Sequence, residues 1–228
     1  MTEATPKTPA ANRTLVTLLL DRSGSMARLK QDTIGAINAW LGTLRETATG
    51  ETDMRFSLVQ FDCPYNSPMQ LERTHVARPI AEVPDLTDAD FQPRGGTPLI
   101  DAAIATILAI DESLAGREGV KVVLAIQTDG DENQSKAPWR DLKALVEEKT
   151  AAGWEILFMG AGIDAYAQGA QMGISRSKTL SYGTDSLATR AAFAATAHNT
   201  SLYASGALAS MDYTDDQKFA AGDTGRVK

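Results

Sequence analysis

Leu15-Val16-Thr17-Leu18-Leu19-Leu20 runs straight into Asp21-Arg22-Ser23-Gly24-Ser25. A continuous apolar run of this length reads as a central strand of a mainly parallel sheet, buried on both faces. The residues after it carry a carboxylate and two hydroxyls at alternate positions, so a loop leaving the strand can turn all three oxygens to one side. Gly24 is expected to relax the backbone there. Two later segments supply matching oxygens: Gly95-Gly96-Thr97-Pro98, and Thr128-Asp129-Gly130 at the end of another apolar run. Such a set suits a hard divalent cation, because Mg²⁺ seeks six oxygen ligands in near-octahedral array. Each motif alone has an ordinary reading as a turn cluster or a helix start. All three in order, each at a strand end or a helix start, make coincidence a poor explanation.

Strand and helix signals alternate outward from this stretch. Leu29 to Thr47 reads as a helix, with Ile34, Ile37, Trp40, Leu41 and Leu44 on one face. Met54 to Phe61 reads as a strand, and the proline-containing stretch around Met69 to Val76 as a short edge strand. Pro84 to Arg94 reads as a polar loop. A helix is expected from Pro98 to Leu114, with Thr97 as its N-cap and Pro98 at the first helical position. Val120 to Ile126 and Trp154 to Met159 are further buried strands. Trp139 to Ala152, Ala165 to Met172 and Leu187 to Ala204 complete the helices. This order implies right-handed crossovers and an α/β, doubly wound, mainly parallel sheet with one short antiparallel edge strand and helices on both faces. Asp21 and Asp129 both fall just past the carboxyl end of a strand, where such sheets bind ligands.

The chain has 228 residues, 43% of them hydrophobic, and suits one large domain. Residues 1–13, rich in Thr, Ala and Pro with no apolar segment, read as a disordered leader and not a secretory signal. Residues 14–205 read as the folded domain, and 206–228 as a polar tail, partly disordered or docked on a partner. The single cysteine, Cys63, excludes an internal disulfide framework and a cysteine-based zinc site, and points to the cytoplasm. With 22 Lys and Arg against 29 Asp and Glu, the net charge is −7 and there is no basic stripe, so nucleic acid is not expected as a partner. The apolar runs are too short to span a membrane.

The set Asp21, Ser23, Ser25, Thr97 and Asp129 resembles the metal-ion-dependent adhesion site of von Willebrand factor A domains. That family's pattern is Asp-x-Ser-x-Ser, then a Thr, then an Asp, and all five positions match. The resemblance extends over residues 14–205 and implies a Rossmann-like sheet. It implies that the Ser23 and Ser25 hydroxyls bind the metal directly, and that Thr97 binds directly or through water. Asp21 and Asp129 would act largely through water or as acceptors behind the ligands. Mg²⁺ is the implied ion, with Mn²⁺ close behind, and a partner's Asp or Glu carboxylate completes the octahedron. Such a site binds and needs no bond chemistry, so no enzyme is expected. Relatives inside bacteria and their viruses also suggest an adaptor or assembly role beside a separate AAA+ ATPase, as this chain has no Walker A motif.

Other residues rank lower. Asp131, Glu132 and Asn133 shape the rim, hold an auxiliary cation or form a solvated loop. Gly160-Ala161-Gly162 with Asp164 either approaches the site or packs. His75 and His198 read as structural, Cys63 lacks a catalytic partner, and Trp40, Trp139 and Trp154 read as core. Two further functions stay open at this stage. One is a Mg²⁺-dependent hydrolase or phosphoryl-transfer enzyme using Asp21 and Asp129. The other is a phage or filament subunit in which the metal is a structural staple.

Overall fold

The structure is a computed structural model that describes residues 12–48 and 52–223. Its strands are β1 (Asn12–Asp21), β2 (Thr52–Asp62), β3 (Gln70–Pro79), β4 (Val120–Thr128), β5 (Glu155–Ala161) and β6 (Thr179–Tyr182). Its helices are α1 (Lys30–Thr47), α2 (Leu99–Leu114), α3 (Trp139–Ala151), α4 (Ala165–Gln171), α5 (Ser186–Ser205) and α6 (Asp215–Ala220), with a 3-10 turn at Gly24–Leu29. The strands form one sheet in the order β3-β2-β1-β4-β5-β6. All neighbours are parallel except β2 and β3, which pair antiparallel with register shifts between Phe56 and Val59. The expected doubly wound sheet with an antiparallel edge is therefore present, and the strand order reverses direction between β1 and β4.

Alternation along β1 explains its unbroken apolar run. Val16, Leu18 and Leu20 enter a core shared with α1 and α5. There Trp40 packs edge-on against Phe56 and Phe193, at centroid distances of 5.9 and 6.1 Å. Leu15 and Leu19 enter the opposite core, with Leu99 and Ile107 of α2, Leu142 and Val146 of α3 and Ala165 of α4. A strand that feeds two cores has no face to give to polar residues.

Several expectations need correction. Residues 83–91 are no plain polar loop: Val83, Leu86 and Phe91 are buried beside α1. The Asn38 amide brackets Leu86, donating to its carbonyl at 3.0 Å and accepting from its N–H at 2.7 Å. β1 starts at Asn12, inside the segment read as a leader; residues 1–11 lie outside the described residues. The segment from 206 to 223 does not hang free. Gly206 ends α5 at φ +82°, after which Met211, Tyr213 and Ala221 are buried. Met211 N–H donates to Glu155 at 2.9 Å, the Tyr213 hydroxyl meets that of Thr196 at 2.8 Å, and Gly183 N–H donates to the Ala221 carbonyl at 3.1 Å. This return closes the outer end of the sheet past β6, a strand of four residues that periodicity does not reveal. Residues 224–228 lie outside the described residues. No helix among the described residues is long and apolar enough to cross a membrane.

Candidate metal centre

Asp21 closes β1 and Thr128 closes β4, and the parallel register of these neighbours (Leu20 opposite Gln127) sets the two side by side. The Thr128 hydroxyl donates to Asp21 Oδ2 at 2.5 Å, and the Ser23 N–H donates to Oδ1 at 2.6 Å. Both oxygens of Asp21 are thus spent on shaping the loop that follows it. In that loop the Ser23 and Ser25 hydroxyls lie 3.0 Å apart, and Ser25 Oγ donates to Asp129 Oδ1 at 2.6 Å. Thr97 arrives from the far side. A Cβ on Gly130 would sit 3.5 Å from both Ser25 Oγ and Thr97 Oγ1, so both hydroxyls lie close over this glycine. All five expected residues therefore converge at the strand-order reversal.

Thr97 is placed by a device that local sequence does not show. α2 begins at Leu99, so Pro98 takes the capping position, and neither it nor Thr97 caps the helix through a side chain. The loop after β4 does so instead. Asn133 Oδ1 accepts from Thr97 N–H at 2.9 Å, Glu132 accepts from Ile100 N–H at 2.9 Å, and Ser135 Oγ accepts from Asp101 N–H at 3.0 Å. Asp101 returns the favour, accepting from Lys136 and Ala137 N–H at 2.9 Å each. The 131–133 cluster therefore shapes the rim: Asp131 accepts from Gln168 at 2.6 Å, while Glu132 and Asn133 fasten the start of α2.

The glycine that the centre depends on is Gly95, with φ +69°; Gly24 has no positive φ. Gly95 carbonyl accepts from Gly24 N–H at 3.0 Å, and Cys63 and Gly96 exchange backbone bonds of 3.0 and 2.9 Å. The first link ties the Thr97 loop to the Ser23–Ser25 loop, and the second ties it to the end of β2. The Gly160–Gly162 segment packs rather than ligates: a Cβ on Gly160 would lie 2.6 Å from Ala165 Cβ, and Asp164 caps α4 through Ala167 N–H at 2.9 Å.

Charge around the centre is arranged in two groups. Arg22 turns away from the metal loop to Asp62, at 2.7 Å, and to Glu72; Arg94 joins Asp62 at 2.8 Å. Burial opposes the Arg22 charge, but its hydrogen bonds to Asp62 and Glu72 outweigh that and hold it protonated. Arg28 is the residue that motif reading overlooked. Its Nη2 lies 3.3 Å from Asp129 Oδ2. Side chains three apart eclipse in a 3-10 turn, so Arg28 stands above Ser25, and that turn was the missing signal. Burial pushes the Asp21 carboxyl up to about 6, against the hydrogen bonds from Thr128 and Ser23, with the nearby Asp129 adding to the rise.

The donor set fits a hard cation. Bonds of about 2.1 Å in an octahedron separate adjacent ligands by about 3 Å, which is the Ser23–Ser25 hydroxyl separation of 3.0 Å. A cation there also relieves the cost of burying two neighbouring carboxylates. Among the described residues no three His, Cys, Asp or Glu side chains cluster as a metal cage. His75 is half-buried on β3 and His198 is exposed on α5, away from these loops.

The fold has many solved counterparts. Proximal thread matrix protein 1 from the mussel byssus shares 13% identity with a TM-score of 0.57, over 79% of this chain and 46% of that one. A second structure of that protein carries a zinc occupied MIDAS motif, at the same 13% identity and TM-score of 0.57, over 80% of this chain and 46% of that one. The pilus adhesin SpaC from Lactobacillus rhamnosus GG shares 12% identity with a TM-score of 0.62, over 86% of this chain and 31% of that one. The vWF domain of the type V pili tip protein Mfa5 from Porphyromonas gingivalis shares 10% identity with a TM-score of 0.62, over 85% of this chain and 97% of that one. This chain spans about half the length of the byssus protein and under a third of SpaC. At such identities the likeness carries the fold alone. No curated protein matches the chain significantly. The family model for the von Willebrand factor type A domain matches residues 16–201, which is most of the chain, and the chain belongs to that family.

Proposed function

We propose that this domain is a metal-dependent protein-interaction module with a complete adhesion-type metal site. Ser23, Ser25 and Thr97 would hold Mg²⁺, or Mn²⁺ in its place, through hydroxyls, backed by Asp21 and Asp129. One observation supports the reading: Ser25 Oγ meets the Ser23 hydroxyl at 3.0 Å and Asp129 at 2.6 Å, and Ser25 and Thr97 both reach over Gly130. A cation held mainly by neutral hydroxyls keeps enough electrophilic character to accept a carboxylate from a partner's Asp or Glu. The zinc occupied motif in the byssus protein supports a divalent ion at this face of the fold. Among the described residues the charged side chain touching the centre's carboxylates is Arg28, a poor general base, so the site favours capture over hydrolysis. An adaptor or assembly role beside a separate AAA+ ATPase rests on the family resemblance, and a cytoplasmic setting on the lone Cys63.

Calorimetric titration with Mn²⁺ tests the metal, and capture from native lysate in Mg²⁺ or EDTA tests the binding. Wild type should bind one Mn²⁺, Ser25→Ala should lose that binding at least tenfold, and both should unfold at similar denaturant concentrations. Partners should be captured only by wild type in Mg²⁺. Equal Mn²⁺ affinity in wild type and Ser25→Ala would sink the proposal, as would an identical catch with EDTA.

A further inference from the structure

Two half-exposed arginines lie near the metal loop. Arg28 contacts Asp129, yet its side chain is 60% exposed. Asp129 is already fixed by Ser25 at 2.6 Å. Arg94 contacts Asp62 and is 52% exposed. Asp62 is already held by Arg22, through Nε at 3.2 Å and Nη2 at 2.7 Å. Each pair joins a half-exposed guanidinium to a fully buried carboxylate that already has another partner. The placement of both arginines is tightly specified. Arg28 stands over Ser25 on the 3-10 turn. Arg94 N–H donates to the Arg22 carbonyl at 2.8 Å, and its neighbour Gly95 accepts from Gly24 at 3.0 Å. The loop Asp21–Ser25 thus has a half-exposed guanidinium at its Ser25 end, and Arg94 adds a second one further out, on the Asp62 pair beside Arg22, in a protein of net charge −7. Each guanidinium carries five N–H donors. Arg28 engages Asp129 through Nη2, and Arg94 engages Asp62 through Nε.

We propose that Arg28 and Arg94 form a cationic rim that selects the partner. The recognised element is an acidic segment with at least two neighbouring carboxylates, one for the metal and one for a rim guanidinium. Planar guanidinium matches carboxylate geometry and makes charge-assisted hydrogen bonds. The inference rests on the metal-site reading above and adds the partner's chemistry. A single Asp on a neutral surface would bind weakly, and an acidic cluster would bind well.

The test uses the full chain with two labelled, C-terminally amidated peptides in Mn²⁺. One carries a single Asp in a Gly-Ser background and the other three successive Asp residues. Fluorescence anisotropy should show the three-Asp peptide binding about tenfold tighter to wild type. Arg28→Gln should cut that affinity about fivefold and the single-Asp affinity less than twofold, with Mn²⁺ binding preserved. Arg94→Gln should act in the same sense, and Arg28→Gln alone decides should the Arg94 variant unfold. The preference should shrink as salt rises, because it is an exposed charge effect. Equal losses on both peptides, or no loss on either with Mn²⁺ binding intact, overturn the rim and leave the metal site standing. Absence of Mn²⁺ binding in wild type overturns the metal reading and the rim with it.

Discussion

Gly95 sits at φ +69°, and a methyl group there would lie 2.2 Å from the Cys63 carbonyl oxygen. No side chain relieves such a contact, because both sides are backbone. Gly24 is different: its Cβ would meet the Gly95 oxygen at 3.4 Å, an ordinary contact. Gly95→Ala should therefore destabilise the protein by about 2–4 kcal/mol, and Gly24→Ala by about 1 kcal/mol or less. Urea unfolding of the two variants checks this, and comparable losses would show the wrong glycine has been chosen. At this scale the meeting of the three loops was legible, since Asp21, Ser23 and Ser25 fall in one short motif and Thr97 and Asp129 sit in recognisable turns. Arg28 was not, because its placement needs the 3-10 period. The Asp62 ion cluster was not, because its arginines stand 40 and 32 residues away in the chain.

Helix α2 shows how one element positions a candidate ligand through another. Its first N–H groups are satisfied by residues more than thirty positions downstream, with Glu132 taking Ile100 N–H at 2.9 Å and also the N–H groups of Gln134 and Ser135 at 2.7 and 2.6 Å. A free helix start would need its own cap, and Thr97 is spared that duty, which leaves its hydroxyl for the metal centre. Glu132→Ala should cost about 1–3 kcal/mol and weaken Mn²⁺ binding several-fold by loosening Thr97. Thr214→Ala, which uncaps α6 at the outer end of the sheet, should cost about 1 kcal/mol with Mn²⁺ binding unchanged. Equal effects of the two on metal affinity would refute the coupling. The long helices were legible from their apolar stripes. The α2 cap was not, because a cap supplied across space has no local pattern, and four-residue β6 is too short to show a period.

At the scale of the whole molecule, alternating strands and helices sufficed to foresee the doubly wound sheet, yet not how its far edge is closed. The stretch after α5 reads as a tail because its anchors, Met211, Tyr213 and Ala221, are irregularly spaced among polar residues. In the structure those anchors are buried at 0, 5 and 0% exposure, so the stretch belongs to the core. Glu155 links it to the sheet, accepting from Met211 N–H and pairing with Lys178. An edge strand left without such cover presents unpaired backbone groups to other chains. Met211→Ala should thus cost about 2–4 kcal/mol, and removal of residues 207–228 should lower the melting temperature sharply and promote aggregation. Neither change touches the metal loops, so Mn²⁺ affinity of Met211→Ala measured well below its melting temperature should match wild type. A truncated chain that melts like the intact one would mean the segment is an appendage, and the closed edge of the sheet would need another explanation.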